Sequence, residues 1–372
     1  MFNKKFLLLF TFYISFVWFT VFGTSILPTH FLAQNLSLQQ MMFGTVLRFV
    51  AQILLLITLT TFTAKISWRL ALVSSLVYIL LSIKIYNVPQ FYIASFINGF
   101  AMFFFFVFYN IAHFENTPRE RKGHSSALMF IAPSLIGIIA PLVAGYVAQI
   151  NLVIIWMVSS TSFLISFYLV SLQKDFQVSY KIKAAIREIK ATRMFIFLEG
   201  VWEALPFGVI PIYTLFFIKT PFEYGIFLSY LALISIIANF TLGKITDKLQ
   251  KRTVFLYPLT IIMACTTTLL AFVNSNLASW IILTGIIQFF LPLFWNVSTA
   301  MIIDSHSNLQ LAIPGRELIL AIGRVVGLVM AFLSFTIEKS PYYIFIILGS
   351  VLFLYPIVLF WNTKISKTYS YL

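Results

Sequence analysis

Residues 123–173 read GHSSALMFIAPSLIGIIAPLVAGYVAQINLVIIWMVSSTSFLISFYLVSLQ, 51 positions without one Asp, Glu, Lys or Arg. A helix needs roughly 20 apolar residues to cross a bilayer core, so this stretch holds two helices and a turn. Gln149-Ile150-Asn151 near its middle marks the tip of the hairpin. Residues 253–303 repeat the arrangement, again 51 positions free of charge, with a tip at Asn274-Ser275-Asn276. Working outward, the same reading places helices near 6–28, 41–62, 66–86, 89–112, 125–148, 152–172, 194–218, 222–243, 253–273, 277–303, 313–337 and 341–362. Lys4-Lys5 ahead of the first apolar run resembles the start of a signal peptide. That run is too long and lacks a small-residue cleavage site, so it reads as a retained helix.

Composition agrees with twelve spans. Of 372 residues 60% are apolar and 10% charged, where a soluble domain is about a quarter charged. A soluble enzyme and a disordered chain are excluded on that ground. So is a nucleic-acid module, despite the net charge of +14. The single cysteine, Cys265, lies in an apolar run and supports no disulfide framework. The expected fold class is an all-α integral membrane protein of twelve transmembrane helices.

The basic residues orient it. Of the 25 Lys and Arg, Lys84, Lys219 and Lys339 fall on one side and Arg48 and Arg324 fall within spans; the rest, Arg316 among them, lie on the side of the N-terminus. Lys and Arg concentrate on the cytoplasmic side of membrane proteins. We therefore expect a multi-pass protein of the cytoplasmic membrane with both termini cytoplasmic.

The chain also divides in two. Residues 173–193 form a long central loop carrying Lys174, Lys181, Lys183, Arg187, Lys190 and Arg193, with Ile182, Ile186 and Ile189 at helical spacing. It reads either as an interfacial amphipathic helix on anionic lipid or as a solvated linker. On either side lie six-span halves, 1–172 and 194–372. Shifting the sequence by half its length brings Gly99 onto Gly285, Phe103-Phe104 onto Phe289-Phe290, Phe108 onto Phe294 and Asn110 onto Asn296. With a slip of a few residues, Phe22-Gly23 and Ile26-Leu27-Pro28 echo Phe207-Gly208 and Val209-Ile210-Pro211. Two parallel six-helix repeats suit a protein that rocks one bundle against the other around a midplane site.

After the eighth span comes Gly243-Lys-Ile-Thr-Asp247-Lys248-Leu-Gln-Lys251-Arg252. It resembles the loop motif of the major facilitator superfamily, departing from it at Thr246 and Gln250. The loop between spans two and three, where the family repeats the motif, has neither its Gly nor its Asp. Ala140-Pro141-Leu-Val-Ala144-Gly145 in the fifth span is similar to the signature of the family's antiporters, with alanine for two of its glycines. In the fourth span only Asn98-Gly99 survives of a further signature, and Ser95 stands where its arginine belongs. The resemblance implies two pseudo-symmetric six-helix bundles and alternating access, most concretely proton-coupled antiport exporting a small organic solute. Flipping of a lipid-linked glycan and a transport-inactive sensor or scaffold are the alternatives. Asp247 would accept hydrogen bonds from a neighbouring helix N-terminus while Lys251 and Arg252 anchor the loop; alternatively these cations only set topology. Ala140, Ala144 and Gly145 permit close helix approach, and Pro141 permits a kink.

Four charges lie inside spans. Glu199 and Glu203 are one turn apart on the seventh, Arg324 sits near mid-depth of the eleventh, and Arg48 lies in the second. Such charges cost a few kcal/mol or more and face water-filled cavities or each other. Glu203 reads as a proton carrier paired with Arg324 in one state, or as half of a static pair. Glu199 either belongs to the same site or reaches the headgroups. Arg48 either snorkels outward or attracts an anionic group. Asn98, Asn110, Gln288 and Asn296, with Trp18, Trp202, Tyr109 and Trp295, are candidates to line the cavity or to bind helix to helix. Phe103–Phe106 reads as core and lipid-facing filler.

No nucleotide-binding loop, metal cluster or Ser–His–Asp set occurs in the sequence, and His113 and His124 sit too far apart to make a site. The expectation is a monomeric non-enzyme with no metal or cofactor, its partners being a small solute, protons and the bilayer. Glu199 with Glu203 is the one opening for intramembrane catalysis.

Overall fold

The computed structural model describes the backbone of residues 4–116, 122–248, 253–273, 275–305, 308–338 and 342–362. It describes their side chains except at 122–128, 130, 242–248, 253, 300, 302–305 and 338. Among the described residues twelve helices are long and apolar enough to cross a membrane. In chain order these spans are Lys4–Ala33, Leu38–Thr58, Ala64–Ser82, Val88–Glu115, Ile131–Ile150, Leu152–Ser171, Arg193–Phe216, Pro221–Thr241, Val254–Val273, Leu277–Thr299, Leu309–Ile337 and Tyr342–Phe360. The chain is an all-α, twelve-helix membrane protein with a major-facilitator-like fold. Twelve is even, so the chain begins and ends on one side, called here the terminal face.

Local sequence sets the helix ends. Ser37 accepts from the Gln40 amide while the Gln40 side chain accepts from the Ser37 amide, a capping box that starts span 2. Asn87 and Asn151 cap spans 4 and 6 through their side-chain oxygens. Span 1 is interrupted: its first helix stops at Thr24 and a second begins at Leu27 with Pro28 in the first turn. Span 7 is broken at the equivalent place, where Leu205–Val209 form a wide π-helical turn ahead of Pro211. The echo between Ile26-Leu27-Pro28 and Val209-Ile210-Pro211 is thus an echo in backbone shape.

Span 2 stops four residues short of the expected 62. Thr61–Thr63 form a strand (β1) antiparallel to Gln177–Ser179 (β2), with Phe62 opposite Val178. The β-branched run favours extension, and Asp175 accepts from the Lys65 amide at 3.0 Å. After β2 comes a seven-residue helix, Ile182–Glu188. Its Ala185 is buried and Ile189 beyond it fully so; a Cβ at Gly315 of span 11 would collide with the Ala185 carbonyl. This helix leans on protein, with its basic residues pointing away.

Apolar side chains gain little by leaving lipid for one another, so close backbone contact has to hold the spans together. Spans 2 and 4 meet at Gly99, where an added Cβ would strike the Arg48 carbonyl. Spans 8 and 10 meet at Gly285, under the Tyr230 side chain. These are corresponding helix pairs of the two halves, and the two glycines are the pair that the half-length shift superposes. The halves contact each other along spans 2 and 11 and along spans 5 and 8. In the second seam Gly145 lies against the Pro221 carbonyl and Gly225 against the Pro141 carbonyl. The Ser229 hydroxyl donates to the Ile138 carbonyl at 2.6 Å. Ala140 and Ala144 are fully buried in the core of the first half, so of the fifth span's small-residue stretch it is Gly145 and the Pro141 carbonyl that face the other half.

Candidate functional site

Span 7 carries the site because it can come close to span 11. Gly200, Gly323 and Gly327 line the crossing, and a Cβ at Gly323 would sit 2.8 Å from the Val201 amide nitrogen. At that distance the side chains flanking the crossing meet directly. The Arg324 Nε donates to Glu203 Oε2 at 2.7 Å, and Trp295 Nε1 of span 10 donates to Glu203 Oε1 at 2.5 Å. Both carboxylate oxygens of Glu203 are therefore engaged, with 2% of its side chain exposed. Glu203 also ends the regular helix Arg193–Trp202 and precedes the π-helical turn. Pro206 and Pro211 lack amide hydrogens and cannot donate within the turn; the Tyr224 hydroxyl donates to the Pro211 carbonyl at 3.0 Å. Discontinuous helices recur where membrane proteins bind polar cargo.

One turn toward the terminal face lies a second cluster. Arg316 donates from Nη2 to Glu199 at 3.2 Å and from Nη1 to Glu317 at 2.9 Å. Gln52 of span 2 approaches Glu317 at 3.5 Å, linking the halves. Glu199 is fully buried, so it does not reach the headgroups. Arg316, a surface cation by hydropathy, is an internal ion-pair partner because span 11 starts at Leu309. Glu317 escaped the sequence reading for the same reason. A span drawn from 313 puts both at its mouth, and the adjacent opposite charges look like a loop end.

Between the halves lies a cavity of about 760 Å³. Glu203, Glu317, Arg48, Arg316 and Arg324 all line it, as do Asn98, Asn110, Gln288, Trp295 and Pro141. Gln288 also donates to Ser235 of span 8 at 2.5 Å. Arg48 does not snorkel: it turns into the cavity and donates to the Met102 sulfur at 3.0 Å. Its guanidinium carbon stands 5.7 Å from the Phe49 ring centroid, and that of Arg324 stands 5.2 Å from the same ring.

Other candidates lie elsewhere. Trp202 is fully buried in the second half, donating to Thr267 of span 9 at 3.2 Å. Trp18 stacks on Phe22 within the first half, and Tyr109 is buried against His113 at 3.1 Å. Asn296 is not among the lining residues, although its repeat partner Asn110 is. Its neighbour Trp295 takes the cavity face instead, since consecutive helical residues point about 100° apart. Of Phe103–Phe106, the first three are core and Phe106 lines the cavity. The side chains of Gly243, Asp247, Lys248 and His124, and all of Lys251 and Arg252, lie outside the described residues.

Fold and site together define a twelve-helix membrane protein holding a charged cavity between two six-helix halves. No family model and no curated protein sequence matches the chain. Solved structures do. The human organic anion transporter MFSD10 (TETRAN) is similar with a TM-score of 0.70 and 9% identity, over 96% of this chain and 100% of that one. A bacterial metal transporter is similar with a TM-score of 0.63 and 13% identity, over 98% of this chain and 100% of that one. At such identities the likeness is one of fold.

Proposed function

We propose that this chain is a secondary active transporter that moves a small organic solute by alternating access, with Glu203 as the proton carrier. One observation supports the reading most. A carboxylate and a guanidinium pair at 2.7 Å on the wall of a cavity between two helical halves, beside a break in the carrying helix. Protonation of Glu203 removes one charge of the pair and releases the other, altering what holds span 7 to span 11. A ligand or proton shifts a conformational equilibrium only by interacting differently with the two states, and this pair supplies such a difference.

The direction of coupling follows from what the solute competes with. A cation that takes the deprotonated Glu203 gives exchange, the proton-driven efflux that the fifth-span residues imply. An anion that takes Arg324 from a protonated Glu203 gives co-transport. The two solved relatives in fold carry different cargo by their names, so fold does not choose between these modes.

The test is flux. Cells overproducing the chain are screened for altered tolerance to a compound panel, and each hit is followed in proteoliposomes with an imposed proton gradient. Gradient-driven movement is expected for wild type and lost in Glu203→Gln, which retains gradient-independent exchange. Unchanged driven flux and pH dependence in Glu203→Gln would end the carrier role. Absence of flux for every compound would favour a sensor or scaffold.

A further inference from the structure

Arg48 is the one cavity arginine without an acidic partner among the described residues. Arg324 has Glu203, and Arg316 has Glu199 and Glu317. Arg48 has a thioether sulfur and an aromatic ring, and its buried Nε meets no acceptor among the described residues. A thioether is a weak acceptor, and an uncompensated arginine at this depth is costly. The site therefore lacks a negative charge beside Arg48. Both guanidinium carbons approach the Phe49 ring, so Arg48 and Arg324 serve the same part of the cavity. Met102, Phe106, Phe207 and Trp295 supply an apolar and aromatic wall there.

We propose that the cavity binds an organic monoanion with an apolar body, its anionic group held by Arg48 and then shared with Arg324 when Glu203 takes up a proton. This rests on Glu203 as proton carrier. Before binding, the Glu203–Arg324 pair is neutral. Afterwards Glu203 is uncharged and the anion stands in its place beside Arg324, so one proton and one negative charge enter together. The cavity's net charge is unchanged, which makes the coupling electroneutral co-transport instead of exchange. Arg324 of span 11 and Trp295 of span 10 touch Glu203; Glu199, one turn earlier on span 7, and Arg316 act on it electrostatically; Glu317 of span 11, Arg48 of span 2 and Tyr78 of span 3 line the same cavity. Protonation of Glu203 removes the carboxylate bonded to Arg324, so anion binding strengthens as pH falls.

Equilibrium binding to the full chain in nanodiscs tests this, using radiolabelled phenylacetate and benzenesulfonate against phenethylamine and phenylacetamide. The sulfonate stays ionised throughout, so its pH trend belongs to the protein. Wild type should bind both anions in preference to amine and amide, and more tightly at acidic than at neutral pH. Glu203→Gln should hold the acidic affinity at both. Arg48→Gln should weaken anion binding roughly 10- to 100-fold, as for loss of hydrogen bonds to a charged group. Arg48→Lys should keep part of it, retaining the charge but not the fork, and it carries the test should Arg48→Gln not fold. The proposal fails if neither anion binds, if the amine binds better, if the Arg48 variants bind anions like wild type, or if affinity rises with pH. Arg48-dependent anion binding without flux would leave this proposal standing and remove the transport reading. Glu203-dependent flux of an amine or neutral solute without anion binding would do the reverse.

Discussion

Removing Arg324 from its pair tests the core of the site. At 2.7 Å and an effective dielectric constant near 20, opposite unit charges attract by about 6 kcal/mol. Desolvation returns part of that, and loss of one partner from a buried pair costs about 3–5 kcal/mol. Arg324→Gln leaves Glu203 with Trp295 as its remaining donor and should fall in that range. Glu203→Gln should fall at its lower end. The carboxamide is nearly isosteric and still accepts from Trp295, and Arg324 also packs over Phe49 and Phe207 at 5.2 and 4.8 Å. The double variant Glu203→Gln/Arg324→Gln carries no buried charge at this point and should regain most of the loss, a coupling of about 2 kcal/mol or more. Reversible unfolding of the purified protein in mixed detergent micelles measures all four corners of the cycle. Additive single losses, with coupling no larger than the few tenths of a kcal/mol seen between independent sites, would show that the two residues do not stabilise one another and would refute the electrostatic account.

Four further outcomes follow from the packing and topology. Gly323→Ala forces a Cβ against the backbone at Val201 and Gly200; it should cost about 1–3 kcal/mol and loosen the Glu203–Arg324 pair. Gly137→Ala meets only the Ala232 Cβ at 3.1 Å and should stay within about 1 kcal/mol in the same unfolding assay. In a Cys265→Ser background, Thr61→Cys should be labelled by an impermeant thiol reagent only from the cytoplasmic side and Tyr86→Cys only from outside; the reverse pattern would invert the topology. Gln52→Ala should weaken the tie between spans 2 and 11 near the terminal face. Double electron–electron resonance between labels on the two halves should then show a broader distance distribution than in wild type.

How much could be read from the chain alone depends on whether a property is local. Span number and limits were legible because a hydrocarbon layer selects runs of about 20 apolar residues wherever they occur, and charge-free stretches such as 123–173 report them directly. Glu199, Glu203, Arg324 and Arg48 stood out for the same reason, as charges where none belongs. The Gly99–Gly285 offset gave away the repeat, because each glycine leaves room for its partner helix, the Arg48 carbonyl at Gly99 and the Tyr230 side chain at Gly285. Two signals were present and passed over. Gly323-Arg-Val-Val-Gly327 is a small-residue stripe of the kind that lets helices cross closely, and Arg316-Glu317 is a charge pair inside a longer helix than hydropathy draws.

Partnership and facing needed the tertiary structure. Trp202 and Trp295 are equally aromatic, yet helix rotation turns the first into the second half's core and the second onto Glu203. Asn110 and Asn296 match in sequence, and only one lines the cavity. A side chain's environment depends on which helices its own helix crosses and at what angle, and crossings form between residues far apart in the chain. That is why composition identified a membrane protein with four misplaced charges. Only the crossing of spans 7 and 11 joined Glu203 to Arg324 and Glu199 to Arg316, and only the placing of span 2 on the cavity wall left Arg48 facing it.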